Sequence, residues 1–143
     1  DGDKTKALTL YDPRKRDSVS FKIRDTEIKP SEELKYLGVI LDDKKTFGAH
    51  IRYGTDKAEK SIAALGKLIP NAEGSTGRTR KILLNGLANS IVLYGAPIWY
   101  RAGEIAKHRE RLLSNQRKSL LSTTCAYRTA STAALQVIAS EHP

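Results

Sequence analysis

The adjacent acids Asp42-Asp43 are the residues whose type and spacing first suggest chemistry, because paired carboxylates are how many enzymes hold a divalent cation. They follow an apolar strand-like run, Leu34 to Leu41, at the approach to a helix. There, acids also face the positive end of the coming helix dipole, and that structural role is the expectation for this pair. His50, His108 and His142 lie far apart, and no HExxH occurs. Cys125 is the only cysteine, which excludes an internal disulfide and any cysteine-based zinc cluster. It reads as a packing residue, and the cysteine usage suits a reducing intracellular setting, nuclear or cytoplasmic. Neither GxxxxGK[ST] nor GxGxxG is present, so nothing predicts a glycine-rich phosphate cradle.

The second set of candidates is basic. The chain of 143 residues has a formal charge of +9, and the excess is uneven. Residues 1–75 hold 15 Lys and Arg against 13 Asp and Glu, whereas residues 76–128 hold 10 against 2. An excess so concentrated favours a polyanionic partner, with Lys and Arg making charge-assisted bonds to phosphate oxygens. Arg78, Arg80 and Lys81 stand in the first turn of a predicted helix, where they oppose the helix dipole at a cost of a few tenths of a kcal/mol each. Something other than helix stability therefore favours them. Lys107, Arg109, Arg111, Arg117 and Lys118 line another predicted helix, and Arg128 follows it.

The elements that must carry these residues divide the chain in two. Over residues 1–44, short runs alternate apolar and polar residues, with Asp12-Pro13, the basic run Arg14 to Asp17, and Asp25-Thr26 as turns. Three or four short antiparallel strands are expected, the last carrying Gly38 in its interior, where a glycine marks a bulge or the close approach of another backbone. Over residues 45–143 the period becomes helical. Ile51, Ala58, Ile62, Leu65 and Ile69 form the apolar stripe of a first helix that ends at Pro70. A second carries Ile82, Leu83, Leu87, Ile91, Val92 and Tyr94 and stops near Gly95-Ala96-Pro97. A third runs from about Gly103 to Thr124, with Ile105, Leu112, Leu113, Leu120 and Leu121 on one side, and a short last helix spans Thr132 to Ala139. The fold class is α+β: a small antiparallel sheet of hairpins, then a mainly α-helical bundle. No apolar run approaches the ~20 residues of a membrane span.

Taken in order, Lys4-Thr5-Lys6, Tyr36-Leu37-Gly38, Tyr94-Gly95-Ala96-Pro97-Ile98-Trp99 and Tyr127-Arg128-Thr129 resemble segments of non-LTR (LINE-type) retrotransposon reverse transcriptases, arthropod elements above all. The resemblance covers nearly the whole chain. It implies a right-hand polymerase in which residues 1–44 are the end of the palm, the chain starting within that domain, and residues 45–143 are the thumb and its continuation. By that resemblance Lys4 matches the lysine of palm motif D, close to the incoming triphosphate, and Gly38 lies in motif E, the primer-grip hairpin. Phe47 and His50 fit the start of the thumb, the aromatic as packing and the histidine as a cap or surface group. The family's magnesium-binding aspartates, in an aromatic-Ala-Asp-Asp motif and an earlier palm position, have no match in this sequence. The chain alone is therefore expected not to polymerise, with Mg2+ belonging to the intact polymerase. The implied partners are an RNA/DNA hybrid or RNA duplex and the remainder of the polymerase. The alternative is a protein-interaction module that packs on the palm or self-associates, its basic residues serving only as a solvated surface.

Overall fold

The computed structural model describes residues 5–10, 20–23, 26–69 and 77–140, which fall into two compact units divided between His50 and Ile51. The chain is α+β.

The first unit holds three two-stranded pairings. β1 (Ala7–Leu8) pairs with β4 (Pro30–Ser31), β2 (Phe21–Ile23) with β3 (Thr26–Ile28), and β5 (Glu33–Tyr36) with β6 (Val39–Asp42). The last two are antiparallel, but β1 and β4 run parallel, a correction to the all-antiparallel expectation. The Ser31 hydroxyl reinforces that parallel pair by donating to the Ala7 carbonyl at 3.1 Å. The turn expected at Asp12 to Asp17 and the Asp25 half of the one expected at Asp25-Thr26 lie outside the described residues, and Thr26 is the first residue of β3, opposite Ile23.

Gly38 is not inside a strand. It forms, with Leu37, the two-residue turn of the β5–β6 hairpin, in register Tyr36 opposite Val39. Both turn residues have positive φ, 47° at Leu37 and 86° at Gly38, as the tightest hairpins with right-handed strand twist require. Glycine adopts this conformation without Cβ strain, whereas Leu37 adopts it at a cost.

β6 ends on Asp42, which is buried, and the chain then turns into α1 (Gly48–Leu68). The Asp42 carboxylate organises this turn. It accepts from the Thr46 backbone at 2.9 Å, the Thr46 hydroxyl at 2.7 Å and the Phe47 backbone at 2.7 Å. His50 is also buried, and its Nδ1 accepts from the Ile40 amide at 3.3 Å. Its expected role as a cap or surface group gives way to tying β6 to the start of α1.

In the second unit α1 buries Ile51, Ala58 and Ile62, the stripe that its spacing predicts. α2 (Gly77–Val92) packs Leu84 and Ala88 against Ile62, with Leu65 at the edge. The chain continues through α3 (Ala96–Trp99), a 3-10 turn (Tyr100–Glu104) and α4 (Ala106–Thr124) to α5 (Thr132–Ala139). Leu120 of α4 meets Leu135 and Ala139 of α5 in a second core cluster. Ser131 caps α5, its hydroxyl accepting from the Ala134 amide at 3.2 Å.

Two expected apolar faces are displaced. Ile82 and Leu83 are exposed while Leu84, Asn85 and Ala88 are buried, so α2 turns a partly polar face inward. Ile105, just before α4, and Leu113 on it are exposed, and Asn115 and Ser119 join Leu120 inside. The reason is a polar seam. The Ser119 and Thr123 hydroxyls lie 3.0 and 2.9 Å from Asn85 Oδ1, and a satisfied buried network can take positions that a hydropathy pattern assigns to aliphatic residues. Pro97 also departs from expectation. Instead of ending a helix it sits in the first turn of α3, where its missing N–H costs nothing.

Candidate nucleic-acid interface

The candidate basic residues divide into those that hold the bundle together and those that face outward. Arg80 belongs to the first group. Only 9% exposed, it donates through Nε to the Ser122 carbonyl at 3.0 Å and through Nη1 to the Ile69 carbonyl. Those carbonyls lie at the C-terminal end of α4 and just beyond that of α1, where helix dipoles present partial negative charge. The cation expected to grip phosphate is thus a clamp across helix ends.

Arg117 is similar. Its Nη1 donates to the Thr132 hydroxyl at 2.9 Å, and its Nη2 to the Arg128 and Ala130 carbonyls at 2.8 Å each. It pins the loop between α4 and α5. Arg111 binds back to α1, with Nε 2.8 Å from Thr55 Oγ1 and Nη2 2.6 Å from Asp56. Lys118 pairs with Glu59 at 2.7 Å. Thr55 is fully buried and the Asn115 amide donates to its carbonyl at 3.1 Å, so residues 55 to 59 of α1 and 111 to 118 of α4 are joined by polar contacts.

Lys81, Lys107, Arg109 and Arg128 have no side-chain partner among the described residues, and the last three are exposed. They are the cations left to meet an external anion. Arg78 lies within α2, but its side chain is outside the described residues, as is the whole of Lys4. Gly38 and the exposed Tyr36 and Leu37 form a hairpin tip in the first unit.

The corner from Tyr94 to Trp99 is built for packing. Gly95 has φ 67°, and Trp99, 4% exposed, donates from Nε1 to the Tyr94 carbonyl at 2.9 Å. Arg101 stacks over the exposed Tyr100 ring, 5.8 Å from its centroid. His108 Nδ1 lies 3.1 Å from the Ala102 carbonyl, which fixes the 3-10 turn to the start of α4. Cys125 is exposed and closes α4 with φ 54°, so it is not the packing residue expected.

The buried polar group of Thr55, Asn85, Asn115, Ser119 and Thr123 was not among the predicted site residues. A signal exists in the spacing of 115, 119 and 123, which places three polar side chains on one face of α4.

The chain is 34% identical over 109 residues, 76% of its length, to a 115 kDa protein of the type-1 retrotransposable element R1DM of Drosophila melanogaster. It is 28% identical over 85% of its length to the Pol polyprotein of an R1 element of Bradysia coprophila. The chain is related to the polymerase proteins of non-LTR retrotransposons. Over 66% of its length it is also 30% identical to a protein named as the RNA-directed DNA polymerase from transposon BS of Drosophila melanogaster. It spans 11%, 12% and 10% of these retrotransposon proteins respectively. No protein-family model and no solved structure matches the chain.

The magnesium of a polymerase does not fit Asp42-Asp43. Burial alone would raise the Asp42 carboxyl, but the bonds from the Thr46 hydroxyl and the Thr46 and Phe47 amides outweigh it and hold the group below the usual carboxylate value. Both of its oxygens thus already face donors. Among the described residues no three His, Cys, Asp or Glu side chains converge on a common point. No single described helix is long and apolar enough to cross a membrane.

Proposed function

We propose that this chain is the part of a non-LTR retrotransposon reverse transcriptase that holds the template–primer duplex, spanning the end of the palm and the thumb. The observation that carries this reading is the set of Lys107, Arg109 and Arg128, exposed and unpaired, in a chain related to retrotransposon polymerase proteins. Such cations meet phosphates without reading bases, which suits a duplex of changing sequence. Lys81 and Arg78 extend the set, and the β5–β6 hairpin tip is assigned to the primer strand, where Gly38 lets the sugar-phosphate backbone approach closely. Phosphoryl transfer and its magnesium are assigned to other parts of the whole polymerase, because the aromatic-Ala-Asp-Asp motif has no match in this sequence and Asp42-Asp43 is taken up by its own turn.

The test is affinity for an RNA/DNA hybrid across a salt series. With three to four phosphate contacts, the logarithm of the binding constant should fall with that of salt concentration at a slope of about 3. Affinity indifferent to salt, or no binding at low salt, refutes the reading.

Exposed apolar side chains favour a second reading. Tyr100, Val137 and Ile138 are 58%, 79% and 67% exposed. Exposed apolar side chains of this size suit packing against the rest of the polymerase or a second copy. Sedimentation at two concentrations, with and without duplex, separates it from the first: association driven by concentration alone supports the second reading.

A further inference from the structure

Between α2 and α4 lies a cavity of about 510 Å3, within the ~300–1,000 Å3 range of small-ligand sites. Its wall is apolar, formed by Val92, Trp99, Leu112 and Leu120, while Asn89 and Arg109 stand among its polar lining. Arg109 is its only charged lining residue, and acids are absent from the lining. Neither the Asn89 amide nor the Arg109 guanidinium has a side-chain partner among the described residues, and both residues are exposed. An aromatic and aliphatic slot, an amide free to give and accept hydrogen bonds, and a lone cation therefore surround one space.

We infer that this cavity takes a single unpaired nucleotide of the bound nucleic acid, its base in the slot beside Trp99, its edge toward the Asn89 amide and its phosphate toward Arg109. The inference rests on the proposed duplex-holding function. A base has flat apolar faces, donors and acceptors on its edge and an anion beside it, which matches all three parts of the lining. A purely aliphatic ligand would leave the amide and cation unmatched. A paired base has its faces stacked and its edge used, so the occupant must come from a bulge, a mismatch or a strand end.

Trp99 is the chain's single tryptophan, so its fluorescence reports directly on the cavity. The experiment compares a perfect RNA/DNA hybrid with one of equal length carrying a one-nucleotide bulge, by fluorescence anisotropy of the labelled duplex and by Trp99 emission. The bulged hybrid should bind about tenfold more tightly, toward the low end of what stacking one base provides, and should quench Trp99 where the perfect hybrid does not. Asn89→Ala, an exposed and charge-neutral change, should remove most of that preference and leave affinity for the perfect hybrid unaltered. Equal affinity with no quenching overturns the inference while leaving salt-dependent duplex binding intact. Binding of neither hybrid overturns both. Quenching by adenosine monophosphate at lower concentration than by the bulged hybrid also overturns it, since the site would then take free nucleotides.

Discussion

Arg80 and Lys107 are both basic residues on helices of one bundle, but Arg80 is buried and bonded while Lys107 is exposed and has no side-chain partner among the described residues. Replacing Arg80 with alanine removes the bonds to the Ser122 and Ile69 carbonyls. A bond from a charged donor is worth ~1.5–3 kcal/mol, and the part-buried carbonyls left behind regain some water, so the net loss is about 3 kcal/mol. For a unit spanning residues 51–143, each kcal/mol moves the melting temperature by roughly 4–8 °C, so Arg80→Ala should lower it by ~12–24 °C. Arg80→Lys should recover only part of this, because a single ammonium cannot span both carbonyls with the planar fork of guanidinium. Lys107→Ala should change stability by less than ~0.5 kcal/mol, since the side chain is exposed and unpaired. It should instead weaken duplex binding and reduce the salt slope by about 1. Thermal unfolding followed by circular dichroism, paired with binding across a salt series, reads both variants. An Arg80→Ala protein that melts within about 2 °C of the parent but binds duplex more weakly would refute the assignment.

Three further outcomes follow from the same geometry. Asp42 has a carboxyl held below its unfolded value of ~3.9, so the unfolded chain binds the proton more readily, and the stability this group contributes is present above about pH 4 and lost as pH falls through the lower folded value. Asp42→Asn should therefore flatten the acid limb of the stability curve, measured by denaturant midpoints from pH 2 to 6. Gly38→Ala should destabilise the β5–β6 hairpin by about 1–2 kcal/mol because φ of 86° is strained for a residue with a Cβ, and Leu37→Asn should stabilise it; amide exchange at Val39 and Leu41 reads both. Lys118→Ala should cost less than ~1 kcal/mol, its ion pair with Glu59 being exposed, whereas Arg111→Ala should cost more because it also leaves the buried Thr55 hydroxyl without its donor; urea unfolding separates them.

Much of the fold was legible because it rests on local chemistry. The stripe of Ile51, Ala58 and Ile62 sits at helical spacing and is buried, and the hydroxyl-rich segment before Thr132 contains the actual cap, Ser131. What was not legible depends on contacts distant in sequence. Nothing beside Asn85 announces that its amide meets hydroxyls at positions 119 and 123, yet that pairing rotates α2 and exposes Ile82 and Leu83. The parallel pairing of β1 with β4 is equally non-local, since alternation predicts a strand and not its partner's direction. Gly38 is expected at a bulge or close approach inside a strand and instead forms the turn, because a two-residue turn between strands as short as β5 and β6 leaves no polar loop to mark it.

The candidate interface shows the same division more sharply. The positive charge of residues 76–128 is a property of composition, and it invites the assumption that every cation faces the partner. An arginine, however, carries five donors in a plane, and helix C-termini present unpaired carbonyls, so a bundle with few long aliphatic contacts gains as much from basic side chains turned inward as a polyanion gains from those turned out. Arg80 does the former at two helix ends, and Arg117 at the Arg128 and Ala130 carbonyls of the α4–α5 loop. Lys107, Arg109 and Arg128 remain for the latter. Charge excess thus bounds the number of cations available to a partner from above, and inward bonds of this kind determine how far below that bound the available number falls.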